Sequence, residues 1–154
     1  MTSSSRRWLC TLAMLVAPAV WAGLGEPQSS IETDRARISA RHAVARTPQY
    51  TVHELTMADG SLVQQYVAGN GLVFAVRWNT LSKPDLSKLL GSAFVSYTGA
   101  VQQAAQRGGI QRQFRHAGTD LVVQSGGHLH VYSGYAYRPS LMPQGLEPQA
   151  LGLG

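Results

Sequence analysis

Residues 50–78 read YTVHELTMADGSLVQQYVAGNGLVFAVRW, and this stretch decides the fold. Residues 50–57 are rich in Tyr, Thr and Val, which suit a pleated, half-buried surface. Ala58-Asp59-Gly60 is a hairpin signal, because Gly accepts positive φ without a steric penalty. Residues 62–67 supply the return strand, and Gly69-Asn70-Gly71 a second tight turn. Residues 72–78 are almost continuously apolar, as expected of a central strand buried on both faces. The stretch therefore predicts a three-stranded antiparallel meander.

Downstream, Ser82-Lys83-Pro84-Asp85 is a capping pattern, with Pro in the first turn where its missing N–H does little harm. Leu86, Leu90, Phe94, Tyr97, Val101 and Ala104 then recur at spacings of three and four and draw one apolar helix face. Gly91 and Gly99 each weaken that helix by about 1 kcal/mol relative to Ala. Gly91 and Ala93 would let it lie close against a sheet, and Gly108-Gly109 closes it. Three more strands are predicted, at 111–116, 120–125 and 128–137. Ala117-Gly118-Thr119 and the tight turn Gly126-Gly127 separate them. Pro139, Pro143 and Pro148 punctuate a tail, residues 140–154, that reads as extended and partly mobile.

Upstream, residues 23–28 read as a flexible lead. Ser29-Ser30-Ile31-Glu32 is a capping box that predicts a short helix over about 30–44, ended before Thr47-Pro48. The fold class is α+β: an antiparallel sheet of about six strands in the order β-β-β-α-β-β-β, one long helix on a face, and a short N-terminal helix. Residues 49–139 form the domain, preceded by the lead and short helix at 23–48.

The first 22 residues carry the pattern of an export signal. Arg6 and Arg7 precede an apolar run over residues 8–20, and Val20-Trp21-Ala22 predicts cleavage after Ala22. The run contains Pro18 and falls short of the roughly 20 apolar residues that a span needs, so no transmembrane anchor is expected after cleavage. The chain should be periplasmic or secreted. Cys10, its only cysteine, leaves with the leader, which excludes disulfide scaffolds, thiolate zinc sites and cysteine nucleophiles. The net charge is +5, from 13 Lys and Arg against 8 Asp and Glu. Losing Arg6 and Arg7 leaves it mildly basic, without the basic stripe of a nucleic-acid binder. The expected partner is an envelope protein or a small ligand.

Tyr50-Thr51-Val52-His53-Glu54, Gln65-Tyr66-Val67 and Val73-Phe74-Ala75-Val76-Arg77-Trp78 form an ordered set of blocks. Pro84-Asp85-Leu86, Leu89-Leu90-Gly91, Asp120-Leu121-Val122-Val123, Ser125-Gly126-Gly127-His128 and Ala136-Tyr137-Arg138-Pro139 continue it. The set resembles the exported bacterial family known as domain of unknown function 2844, over roughly residues 24–147. The resemblance implies a signal peptide, one domain and a Gram-negative source. It supplies no catalytic residues.

Candidate chemistry centres on His128-Leu129-His130. On a strand the two imidazoles and Tyr132 would share one face, opposite Leu129, Val131 and Tyr135. That face is the expected binding surface of a non-enzymatic module that needs no cofactor. The alternative is a zinc or copper site formed by His128 and His130 with a third ligand such as His53; Glu54 and His116 are further donors. A second alternative is a small serine hydrolase using Ser125 and His128, although no nucleophile elbow surrounds Ser125. Asp59 reads as turn chemistry and Asp85 as a helix cap. Tyr66, Trp78, Tyr132, Tyr135 and Tyr137 are strand aromatics that could stack on a sugar or dock a peptide, with Trp78 expected in the core.

Overall fold

The computed structural model describes residues 23–108 and 113–154. The predicted leader lies outside them. Helix α1 (Ser29–Ile38) leads into strands β1 (Arg41–Arg46), β2 (Tyr50–Thr56), β3 (Leu62–Ala68) and β4 (Val73–Thr80). Helices α2 (Leu86–Leu90) and α3 (Phe94–Gly108) follow, then β5 (Gln113–Ala117), β6 (Val122–His128) and β7 (Val131–Tyr137). The strands form one antiparallel sheet in the order β1-β2-β3-β4-β7-β6-β5. The fold is α+β as expected, with seven strands rather than six.

The extra strand comes from the segment read as the second half of the short helix. Ser39 turns left-handed at φ 49° and ends α1. Residues 41–46 then pair with β2 along their whole length. The helical stripe of that segment was thin, and a ready sheet edge outweighs a weak helix.

The meander forms as the turn residues dictate. Asp59 Oδ1 accepts the Ser61 N–H at 2.8 Å, and Gly60 sits at φ +88°. Asn70 Oδ1 accepts the Leu72 N–H at 3.1 Å before β4 begins. Val73, Phe74, Ala75 and Val76 are fully buried, because both faces of β4 are covered.

One face packs under the helices. Leu55, Val63, Val76, Trp78, Val123 and Ala136 meet Leu24, Ile31, Leu90 and Ala93 there. The lead that reads as flexible belongs to this core. Leu24 is fully buried, its N–H donates to the Leu89 carbonyl at 3.1 Å, and the Gly25 N–H donates to the Val73 carbonyl at 2.7 Å. This crossing breaks the long helix in two. Gly91 takes φ 49° and ψ −128° and starts a 3-10 turn, Gly91–Ala93. A Cβ on Gly23 would lie 2.4 Å from the Gly91 Cα, so the two backbones touch. Gly91 therefore makes room for the lead, not for the sheet. Asp85 caps α2 by accepting the Ser87 N–H, and the helix starts just after it.

The other face holds Tyr66, Phe74, Ala75 and Tyr135, and the tail covers them with Leu151 and Leu153. The tail, expected to be extended, folds back through 3-10 turns at Pro139–Leu141 and Pro148–Leu151. Each of the two leucines contributes on the order of 1.5–3 kcal/mol by leaving water. Next to the covered aromatics runs a polar row set by register: Glu54, Gln64, Arg77, Tyr135, Gln124 and Arg115. Neither sheet face is open as a whole.

Candidate functional site

A cleft of about 740 Å³ opens between α3 and the β5, β6 and β7 end of the sheet. This falls within the roughly 300–1,000 Å³ of small-molecule sites. Its floor depends on glycines within strands. A Cβ on Gly134 would meet Trp78 Cζ2 at 2.4 Å, and one on Gly127 would meet Tyr132 Cδ1 at 2.6 Å. Each ring therefore occupies the space that a side chain on the glycine would need. Tyr97 on α3 and Phe114 on β5 supply further aromatic surface, meeting edge to face at 5.4 Å with planes 86° apart. Tyr97 also stacks on Phe94 at 5.9 Å. Lys83, from the loop before α2, and Arg107, from the last turn of α3, stand at the lining, and Ser125 contributes a hydroxyl.

The sequence misplaces the hairpin that builds this floor. Gly126 and Gly127 lie within β6, and the turn is Leu129 and His130, at φ 45° and 65°. Two consecutive positive φ values are those of the type I′ hairpin turn. Left-handed conformation costs a non-glycine residue roughly 1–2 kcal/mol, and the register that seats Tyr132 over Gly127 compensates.

This geometry separates the predicted site residues. His128 ends β6 opposite Val131, and His130 sits in the turn, so the two imidazoles do not share a strand face. Both are exposed. Tyr132 is on the helix side, in the cleft. Tyr135 is on the other side, buried under the tail. Ser125 lines the cleft on the helix side. His128, three residues on, faces the opposite side, where it borders a smaller hollow with Val131 and Ser133. The Ser125–His128 pair therefore does not form. His53 lies on β2, three strands from β7 and thus roughly 14 Å away. Among the described residues no group of three or more His, Cys, Asp or Glu is arranged to hold a metal.

His53 has a different partnership, which the sequence reading missed. It is 4% exposed. Its Nδ1 lies 2.9 Å from His42 Nε2, and His42 Nδ1 lies 3.2 Å from Glu32 Oε1. The chain Glu32–His42–His53 thus joins α1, β1 and β2. Burial pushes the His53 pKa below its ordinary value; the charge of His42 adds to this, Glu32 opposes it and Arg46 contributes a smaller lowering. His53 Nε2 has no hydrogen-bond partner among the described residues. One ring donates and the other accepts across the 2.9 Å contact, while His42 Nδ1 is turned to Glu32. These nitrogens face each other, which makes a linear relay and not a ligand set. His42 escaped notice because its segment read as helix.

Among the described residues no helix is long and apolar enough to cross a membrane. A family model described as "Protein of unknown function (DUF2844)" matches residues 20–151, and the chain belongs to that family. Neither a curated protein nor a solved structure matches the chain.

Proposed function

We propose that this member of the family is an exported binding module of the bacterial envelope, and that the cleft beside α3 holds its ligand. The observation that carries the reading is the aromatic floor: Trp78 and Tyr132 lie over Gly134 and Gly127, with Tyr97 and Phe114 beside them. Flat rings at low conformational cost, with few polar groups among them, are the usual lining of a small-molecule site. Export is supported by Arg6 and Arg7, the apolar run after them and the Val20-Trp21-Ala22 cleavage pattern. Binding fits better than catalysis, since His128 faces away from Ser125 and the histidine relay lies at the far end.

Native mass spectrometry of the full chain expressed in a Gram-negative host, purified from the periplasm, tests both parts. The expected species begins at Gly23 and carries a small molecule that the Tyr132→Ala variant loses. A retained leader overturns export. A ligand that survives Tyr132→Ala moves the site elsewhere. A bare chain whose Trp78 emission ignores a panel of amphiphiles overturns binding. Trp78 is a clean reporter, because the other tryptophans, Trp8 and Trp21, belong to the leader.

A further inference from the structure

We infer that the cleft takes an amphiphile with an anionic head, a long-chain or aromatic carboxylate, with its head at Lys83 and its body along α3. The inference rests on the cleft being the ligand site. The body is specified by the lining: Leu86, Tyr97, Val101, Phe114 and Tyr132 offer apolar surface around the buried Trp78. From Tyr97 to Arg107 the helix runs about 15 Å at 1.5 Å per residue, which favours an elongated body over a compact one.

Charge specifies the head. Lys83 and Arg107 stand at the lining, Arg115 belongs to the register row of Tyr135 on the other face, and no Asp or Glu side chain among the described residues lines the cleft. Neighbouring cations are already paired. Lys88 meets Asp85 at 3.2 Å, and Arg138 meets Asp120 at 2.7 Å. No ion pair joins Lys83 or Arg107 to a carboxylate among the described residues. An unpaired cation at the mouth of an apolar hollow attracts an anionic head with the modest strength of a solvent-exposed pair.

The two cations are not equivalent. Arg107 stands in the last turn of α3, whose free carbonyls carry about half a negative charge, and it already compensates that dipole. Lys83 precedes α2 and has no such duty. The head therefore belongs at Lys83. A cationic ligand could use the same rings by cation–π contact, but Lys83 and Arg107 would repel it with no carboxylate to balance them.

The test titrates residues 23–154 with decanoate, decanol and decyltrimethylammonium, following Trp78 emission. These probes share one tail and differ in the head. Decanoate should bind tightest and the ammonium weakest. Lys83→Gln should weaken decanoate about fivefold, the upper range for a partly exposed ion pair, and leave decanol unchanged. Arg107→Gln should have the smaller effect. Equal binding of all three heads, or indifference to Lys83→Gln, overturns the anionic class. In that case continued weakening by Tyr97→Ala and Tyr132→Ala leaves the site itself standing. If those two variants also bind every probe like the wild type, the site fails as well. Lys83 is exposed, so its substitution leaves the fold intact.

Discussion

Acidification should loosen the α1 end of the sheet through His53. The physical basis is linkage: His53 is buried with its pKa lowered, whereas in the unfolded chain it returns to about 6.5. The unfolded state therefore binds the proton first. Stability is fully present above the unfolded value and is lost as pH falls below it, until the folded form also takes up the proton. One such group changes stability by at most about 1.4 kcal/mol per pH unit. Between pH 7 and 5.5 the loss is capped by the unfolded-state titration at about 1.3 kcal/mol. The groups facing His53 that resist or assist this are His42 and Arg46 on β1 and Glu32 on α1. Asp59 and Asp85, whose carboxyls are held low chiefly by hydrogen bonds from Ser61 and Ser87, lose stabilisation only below the ordinary carboxylate range. They leave the window clear. Urea denaturation at half-unit pH steps measures the slope, and His53→Phe should flatten it while keeping the ring volume. A wild-type slope retained in His53→Phe refutes the reasoning, because the proton would then be taken up elsewhere.

Gly91→Ala should destabilise the chain by about 1–3 kcal/mol, since φ 49° with ψ −128° strains any L side chain and the new Cβ would stand 3.1 Å from the Gly23 Cα; an unchanged urea midpoint would contradict the backbone crossing. Leu153→Ala, removing a side chain that is 1% exposed, should lose about 2–5 kcal/mol and expose Tyr66 and Phe74. Unfolding followed by tyrosine fluorescence reads both effects, and a loss below 0.5 kcal/mol would mean that the tail does not cover the sheet.

What was legible in the sequence was local. Residues 50–78 announce their meander through Asp59-Gly60 and Asn70-Gly71, whose side chains and φ values act within two or three residues. The cap at Asp85 was readable for the same reason. What escaped depends on partners distant in sequence. The segment 41–46 is a strand because β2 is there to pair with it, and that pairing also brings His42 onto His53. The lead and the tail are ordered because Leu24, Leu151 and Leu153 find hollows on opposite faces of one sheet. No short-range pattern encodes that.

The hairpin at residues 126–133 shows how the same limit hid the candidate site. Two adjacent glycines beside a β-run are turn chemistry by local rules, and Leu129-His130 is a poor choice for positive φ. A turn at Gly126-Gly127 would have avoided about 1–2 kcal/mol of left-handed strain per residue. It would also have slid β6 along β7, and Tyr132 would then have faced a different residue from Gly127. Ser125 would likewise no longer oppose Gly134, the residue over which Trp78 lies. Aromatic side chains bury 150–250 Å² each, so seating them on bare backbone outweighs the strain of one turn. Gly127 is in the strand to receive the Tyr132 ring. A glycine in a strand opposite a tyrosine is thus the sequence signature that the cleft leaves, and it becomes readable only once the register is known.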